Sequence, residues 1–174
     1  MSADSKIATR LHIDQSLTAG QTLGLDHARS HFLRSVLRLG QGARLAVFNG
    51  SDGEWLAEIE GLGKGWCSLK LLQQRRAAEP EPDLWLVFAP IKRARIDFMA
   101  EKATELGCSL LQPVMTRFTS VSRVNEERLA ANAREAAEQC ERLTVPDVRE
   151  TVSFTQLLAD WPTGVTKGLS NPED

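Results

Sequence analysis

The pattern of hydrophobic and polar residues changes near residue 80, from short alternating runs to longer apolar runs that alternate with helical patterns. In the first part, residues 7–13 alternate as a strand does, and Asp26 is a suitable N-cap for a helix that ends near Gly40. Three more strand-like runs, bounded by turn-forming residues, follow at 44–48, 54–59 and 66–71. This part is predicted to form a compact β-barrel or meander with one helix.

The second part has the pattern of a parallel α/β sheet. Residues 84–89 and 110–115 are continuous apolar runs, as expected for strands covered on both faces, and a helical pattern follows each of them. Between the two parts, the polar segment 76–83 contains two prolines, which oppose regular structure. We therefore predict one domain at residues 1–75, a linker at 76–83 and a second domain at 84–174.

Composition narrows the class of protein. Of the 174 residues, 42% are hydrophobic and 25% charged, as in soluble globular proteins, and the longest apolar run is too short to cross a membrane. Without a signal-peptide core, the chain is expected to be cytoplasmic, with no membrane partner. The three cysteines, Cys67, Cys108 and Cys140, are odd in number and widely spaced. We interpret them as buried structural thiols, not as a disulfide framework or a metal site.

Charge is distributed unevenly along the chain. Residues 1–78 contain 10 basic and 7 acidic residues, whereas the remainder contains 11 basic and 16 acidic residues. On the predicted first helix, one stripe about a quarter of the circumference wide holds His27, His31, Arg34 and Arg38. Phe32, Val36 and Leu39 are expected to point the other way, into the barrel. The stripe is interpreted either as a phosphate-binding surface or as a solvated helix face.

Further basic residues follow the predicted parallel strands. Lys92, Arg93 and Arg95 come after the first strand and Arg117 after the second, at the carboxyl ends where α/β proteins usually bind ligands. These residues would either grip an RNA backbone or lie in a solvated loop. Glu138 and Arg142 have the spacing of a helical ion pair, which lies either on the surface or against a partner subunit or active site. The residues alone thus indicate an RNA-binding or phosphate-binding α/β protein.

Several blocks of this sequence together resemble a known family. In chain order they are His31-Phe-Leu-Arg-Ser-Val-Leu-Arg38, Phe48-Asn-Gly50, Lys92, Lys102-Ala-Thr-Glu-Leu-Gly107, Glu135-Ala-Ala-Glu-Gln139 and Val145-Pro146. From about Ile7 to Pro162 the chain resembles the RsmE family of small-subunit (16S) ribosomal RNA uridine methyltransferases, in the SPOUT superfamily. The resemblance implies an α/β protein in which a PUA-like β-barrel that helps bind RNA precedes a SPOUT-type domain, and a homodimer with active sites at its interface.

The resemblance also implies a reaction. A methyl group moves from S-adenosylmethionine to N3 of a uridine, the ring nitrogen between the two carbonyls. That nitrogen must first lose its proton, so a cation near the base would stabilise the resulting anion. Arg117 and Arg142 are the catalytic candidates. The RNA-binding candidates are His31, Arg34, Arg38, Lys92, Arg93 and Arg95.

Two departures from the family pattern limit these expectations. Phe118 separates Arg117 from Thr119, where relatives often have an arginine followed by serine. After Pro162 the chain lacks the family's glycine-rich cofactor loop and knotted helix, so we expect it to bind S-adenosylmethionine weakly, to be inactive as written, and to expose a strand edge. The alternatives are a non-catalytic RNA-binding module and a small-molecule α/β enzyme with a phosphate-bearing substrate.

Overall fold

Two β-sheets organise the chain, a five-stranded sheet in the first half and a four-stranded sheet in the second. The computed structural model describes residues 7–91, 93–119, 121 and 123–162. The order along the chain is five strands with one helical segment, then strand, helix, strand, helix, two short strands and a last short helix. This order confirms the predicted change from a barrel-like part to an α/β part.

The first sheet is a curled half-barrel. Its strands are β1 Arg10–His12, β2 Thr22–Leu25, β3 Arg44–Asn49, β4 Gly53–Gly63 and β5 Trp66–Arg76, in the spatial order β1-β3-β4-β5-β2. β1 is parallel to β3, and the other pairs are antiparallel. The inward side chains of alternate positions, such as Leu45, Ile59 and Leu69, are fully buried. The strand β2 was not predicted, because its four residues include Gly24 and give too short a pattern.

The helical segment of the half-barrel confirms the predicted start but not the predicted buried face. The Asp26 carboxylate accepts a hydrogen bond from Arg29 N at 2.8 Å and caps α1, His27–His31. A π-helical turn, Phe32–Val36, follows, and Arg38 ends it with φ of 55°. Leu33 is buried and Leu37 packs against the core, whereas Phe32 and Val36 are exposed. Placing those two in the barrel was wrong, because the buried side of the helix lies about 90° from the basic stripe instead of opposite to it.

The second sheet is parallel throughout, as predicted. Its strands are β6 Trp85–Phe88, β7 Leu110–Met115, β8 Asp147–Val148 and β9 Val152–Ser153. The helices α2, Arg93–Glu105, and α3, Glu126–Gln139, contribute Ile96, Leu129 and Ala133 to a core with Phe88 and Leu111. A short helix α4, Phe154–Ala159, follows β9. The strands therefore bring the loop after β6 and the loop after β7 to one end of the sheet.

Two of the three cysteines are buried and one is exposed. Cys67 and Cys108 are buried, as predicted, but Cys140 is exposed. The prediction for Cys140 was wrong because α3 ends at Gln139. Cys140 is the C-cap residue, whose backbone N–H donates to Ala136 O, and its side chain does not continue the buried face of the helix. Within the described ranges there is no group of three side chains that would hold a metal ion, and no helix there is long and apolar enough to cross a membrane.

Candidate functional site

A tight turn at the carboxyl end of β7 presents two exposed side chains. Thr119 N donates to Thr116 O at 3.2 Å, and Thr116 N donates to Thr119 Oγ1 at 2.9 Å. These bonds close the turn and leave Arg117 and Phe118 at its tip, with the Phe118 residue 87% exposed. The Arg117 guanidinium carbon lies 5.6 Å from the centre of the Phe118 ring. The turn therefore offers a cation and an apolar face together.

A cleft of about 280 Å³ opens at the same end of the sheet, between the first turns of α2 and α3. Its charged lining consists of two arginines and one aspartate, a net charge of +1: Arg123 is exposed, and Arg128 Nη2 lies 2.6 Å from Asp97 Oδ2. Asn132 also donates to Asp97 Oδ1 at 2.8 Å, so the carboxylate is engaged by both neighbours. Because the acid is held and an arginine remains open, the cleft suits a phosphate or another anion.

The basic residues predicted at this end can be placed only in part. Lys92 lies outside the described residues, and Arg93 begins α2, with its side chain also outside the described part. Arg95 is exposed on the first turn of α2. Arg95 and Arg117 thus lie at the carboxyl end of the sheet, which is where the sequence predicted them.

Arg142 lies at the opposite, amino end of the sheet. Its guanidinium donates to Thr104 O at 2.9 Å and forms an ion pair with Glu81 at 2.5 Å, and its side chain is only 8% exposed. Thr144 also bonds to Glu81. Burial raises the pKa of Glu81. The hydrogen bonds from Arg142 and Thr144 lower it by a larger amount, so the net pKa is below the usual value. The predicted ion pair between Arg142 and Glu138 was wrong, because the helix ends between them.

Glu138 instead joins the half-barrel to α3. Its Oε1 accepts the backbone N–H of His12 at 2.9 Å. Burial raises the pKa of Glu138, and burial lowers the pKa of His12. The carboxylate is therefore a partly buried link between the half-barrel and α3 and not part of a solvated ion pair.

A second link, which the sequence did not indicate, is formed by Arg10. Arg10 Nε lies 2.7 Å from Glu54 Oε2, and its other nitrogens donate at 2.9 to 3.1 Å to the carbonyls of Ala137 and Glu138, at the end of α3, and of Arg142, just after it. The guanidinium also lies over the Phe48 ring at 4.2 Å. The open carbonyls at a helix C-terminus attract a cation, so Arg10 fixes the half-barrel on α3. The only sequence signal is alternation, which puts Arg10 and His12 on the face of β1 away from the barrel core.

The basic stripe of the half-barrel is solvent-exposed. His27, His31, Arg34 and Arg38 are all exposed, which is compatible with both interpretations of the sequence. The Asp26 cap fixes where α1 begins. Buried Leu33 anchors the helical segment that carries the stripe in the core of the half-barrel.

Both parts of the chain match known protein families. The profile of an RNA methyltransferase PUA domain matches residues 25–72, and that of an RNA methyltransferase domain matches residues 78–171, more than half of the chain. Ribosomal RNA small subunit methyltransferase E of Rickettsia conorii is 35% identical over 151 residues, covering 86% of this chain and 62% of that protein. The protein of the same name from Synechocystis is 31% identical, and the match covers 87% of this chain and 50% of that protein.

Solved structures agree with the sequence comparisons. The methyltransferase E of Neisseria gonorrhoeae, bound to S-adenosylmethionine, superposes with a TM-score of 0.79 at 25% identity, covering 89% of this chain and 66% of that one. A putative methyltransferase of Legionella pneumophila, in complex with the same cofactor, gives 0.78 at 26% identity, covering 87% and 66%. The chain spans between half and two thirds of the lengths of these relatives. With both domain profiles matched in order and in the observed fold, this chain belongs to the RsmE-type family of RNA methyltransferases.

Proposed function

We propose that this chain forms the RNA-binding and substrate-facing part of an enzyme that methylates N3 of a uridine in small-subunit ribosomal RNA. The partner is 16S ribosomal RNA or the small ribosomal subunit, in the cytoplasm, and the working form is a homodimer. The observation that carries the proposal is the exposed Arg117 turn beside a cationic cleft, at the carboxyl end of a parallel sheet. The relatives' names support ribosomal RNA as the substrate class.

Arg117 is our candidate for stabilising the reacting base. When N3 of uridine loses its proton, negative charge spreads onto the two neighbouring carbonyl oxygens, and a guanidinium can donate to such oxygens. Arg117 is exposed, and the bonds between Thr116 and Thr119 fix its backbone. Arg95 and Arg123 would bind the phosphates on either side of the base.

Arg142 is assigned a positioning role in this proposal. Its guanidinium is bonded to Glu81, Thr104 O and Thr144, and so it holds the linker against the ends of α2 and α3. Arg142 and Arg117 lie at opposite ends of β7, and the Arg142 guanidinium is already bonded within its own chain, so we do not assign it a contact with a nucleotide that Arg117 of the same copy binds.

The described cleft does not fit S-adenosylmethionine. That cofactor, which supplies the methyl group when bound, carries two cations, a sulfonium and an ammonium, and one carboxylate, whereas the single acid of the cleft, Asp97, is already bonded to Arg128 and Asn132. We therefore assign the cleft to RNA and derive no step through the cofactor. The expectation that these 174 residues bind S-adenosylmethionine weakly stays a prediction. Calorimetric titration tests it, and a dissociation constant equal to that of an intact relative would contradict it.

RNA binding is tested by charge reversal on the stripe. The Arg34→Glu/Arg38→Glu double variant should weaken binding to a 16S ribosomal RNA fragment at least tenfold and reduce the slope of log affinity against log salt by about two. Lys70→Glu, on β5, is the matched control and should have a smaller effect. Equal binding by the double variant and the parent would contradict the proposal, and a preference for a small phosphorylated ligand over RNA would favour the small-molecule alternative.

Methyl transfer is tested with a chimera that continues residue 162 with the corresponding C-terminal part of the Rickettsia conorii relative. The chimera should transfer labelled methyl groups to small ribosomal subunits and produce a reverse-transcriptase stop at the modified uridine, because an N3 methyl group blocks base pairing. Arg117→Ala should reduce the transfer about 100-fold, and Arg117→Lys less. RNA binding without any transfer would favour the non-catalytic module.

A further inference from the structure

The hairpin between β4 and β5 carries an exposed tryptophan whose ring packs over two glycines. Trp66 pairs directly with Gly63 across the hairpin, and its residue is 54% exposed. The indole lies along β4: a Cβ atom added to Gly63 would overlap Trp66 Nε1, and one added to Gly61 would lie 2.9 Å from the far edge of the ring. Only glycine at both positions leaves room for the ring to lie flat.

The Trp66 ring is not part of the barrel core. Along β5 the inward positions are Cys67 and Leu69, both buried, whereas Trp66 is on the outward side. One side of the indole faces the glycine backbone, and about half of the residue's surface is open to solvent. A flat aromatic ring that is already held in one orientation loses little conformational entropy when another flat ring stacks on it.

The hairpin that carries Trp66 touches the basic stripe of α1. The His27 imidazole packs against Gly65, the residue before Trp66, so closely that an added Cβ atom would lie 2.8 Å from its Cδ2. Lys64 is exposed at the tip of the same hairpin, and the stripe continues from His27 to His31 and Arg34. An aromatic face beside a row of cationic donors has the composition of a surface for unpaired nucleic acid.

We propose that Trp66 stacks on an unpaired base of the RNA whose phosphates contact the His27, His31 and Arg34 stripe. This inference rests on the RNA-binding role proposed above and adds a site for a single-stranded nucleotide to it. Stacking is tolerant of base identity, because every base offers a flat face. The site would therefore recognise an unpaired nucleotide and not a particular sequence. The stripe would supply the salt-dependent part of the affinity and Trp66 the salt-independent part.

The first test compares Trp66→Phe and Trp66→Ala in the full chain, with a 12-nucleotide single-stranded RNA and its duplex as probes. Trp66→Ala should lower the affinity for the single strand about tenfold, Trp66→Phe no more than about threefold, and neither should change the salt slope. The duplex should be affected less than the single strand. Leu72→Ala, another exposed apolar residue on β5, is the control for lost surface.

A spectroscopic readout separates stacking from a structural role. RNA should quench the tryptophan emission of the parent, and Trp66→Phe should lose most of that quenching while keeping its thermal midpoint. If Trp66→Ala fails to fold, Trp66→Leu against Trp66→Phe decides, since leucine keeps apolar volume without a ring.

Other outcomes identify which proposal fails. Unchanged RNA affinity in Trp66→Ala, with weakened binding in Arg34→Glu/Arg38→Glu, would overturn the stacking site and leave the proposed function intact. A parent chain that binds no RNA would overturn both. A change in sedimentation coefficient in Trp66→Ala, without a change in RNA affinity, would assign the ring to a protein contact and overturn the inference.

Discussion

Arg10 and Glu54 form a nearly buried ion pair, with Arg10 Nε 2.7 Å from Glu54 Oε2 and side-chain exposures of 10% and 3%. Both residues belong to the half-barrel, yet the remaining nitrogens of Arg10 bond to carbonyls at the end of α3 and just after it. Glu54 also accepts from Arg75, at 2.5 Å, and so holds two arginines. The Arg10 guanidinium therefore links the half-barrel to the α/β part through fixed partners on both sides.

Removing this guanidinium is expected to destabilise the protein strongly. Arg10→Ala should lower the free energy of unfolding by about 3 kcal/mol, because the carbonyls of α3 lose their donor and the buried Glu54 keeps only Arg75. Arg10→Lys should recover only part of this, since an ammonium cannot reach both Glu54 and the α3 carbonyls as a planar fork does. Urea denaturation of the variants measures both values.

The control is an exposed ion pair of the same half-barrel. Arg44 Nε lies 3.2 Å from Glu58 Oε2, with both side chains about one third exposed. Arg44→Ala should cost less than about 1 kcal/mol. Equal losses in Arg44→Ala and Arg10→Ala would show that the contacts of Arg10 with α3 contribute nothing.

The Glu81 carboxylate should make stability depend on pH. Its pKa in the folded protein is below the usual value of 4.5, because hydrogen bonds from Arg142 and Thr144 outweigh the effect of burial. The stabilising contribution is thus present above pH 4.5 and is lost as the pH falls through the folded pKa. Glu81→Gln should be about 1 kcal/mol less stable than the parent at pH 7, and the difference should shrink as the pH drops below 4.5.

The measurement for Glu81 is urea denaturation at several values between pH 3 and pH 7, with exposed Glu79→Gln as the control. A constant difference between Glu81→Gln and the parent over the whole range would contradict the assigned direction of the pKa.

Arg38 should show opposite effects on stability and on RNA binding. It has φ of 55°, a left-handed conformation that favours glycine. Arg38→Gly should therefore raise the free energy of unfolding by about 0.5 kcal/mol, after the greater freedom of glycine in the unfolded chain is subtracted. The same substitution should weaken RNA binding, because it removes one cation of the stripe.

Arg34→Gly is the matched control, since it also removes an arginine from the stripe but lies within the helical turn. It should lower stability by about 0.5–1 kcal/mol and weaken RNA binding to a similar extent. Thermal denaturation and filter binding distinguish the two variants, and a loss of stability in both would contradict the proposed strain at Arg38.

One thiol of the native protein should react with an aromatic disulfide reagent. Cys140 is exposed, whereas Cys67 and Cys108 are buried and burial raises the pKa of both thiols. We expect one fast equivalent in the native state and three in urea. Cys140→Ser should abolish the fast phase, and a fast phase that persists in this variant would mean that a buried thiol becomes accessible.

Local patterns predicted the elements that depend on neighbouring residues. Asp26 caps its helix through Arg29, three residues away, and β3 pairs with β4, which follows after a short turn. The apolar runs of β6 and β7 correctly predicted parallel strands, although only β7 is covered on both faces, since Trp85, Leu86 and Val87 of β6 are half-buried. These features require no knowledge of distant contacts, and the sequence therefore indicated them.

Contacts between distant residues were not predictable in the same way. Arg10 has the position of an ordinary outward strand residue, and only the placement of Ala137 and Arg142 beside β1 reveals its role. The spacing of Glu138 and Arg142 indicated an ion pair only if the helix continued, but Glu141 takes φ of 62° and the chain turns away. The roles of both arginines thus depend on where α3 ends.

The strand β7 sets a limit on what one copy of this chain can do. Its six residues, about 17 Å in length, separate Arg117 at one end from the neighbourhood of Arg142 at the other. If the Arg142 guanidinium acted on the same nucleotide as Arg117, instead of having the positioning role proposed above, the two arginines would have to come from two different subunits. In the chimera described above, an Arg117→Ala variant would then complement an Arg142→Ala variant, since one of the two sites in each mixed dimer, about a quarter of all sites, would contain both arginines. Two inactive preparations would become active on mixing.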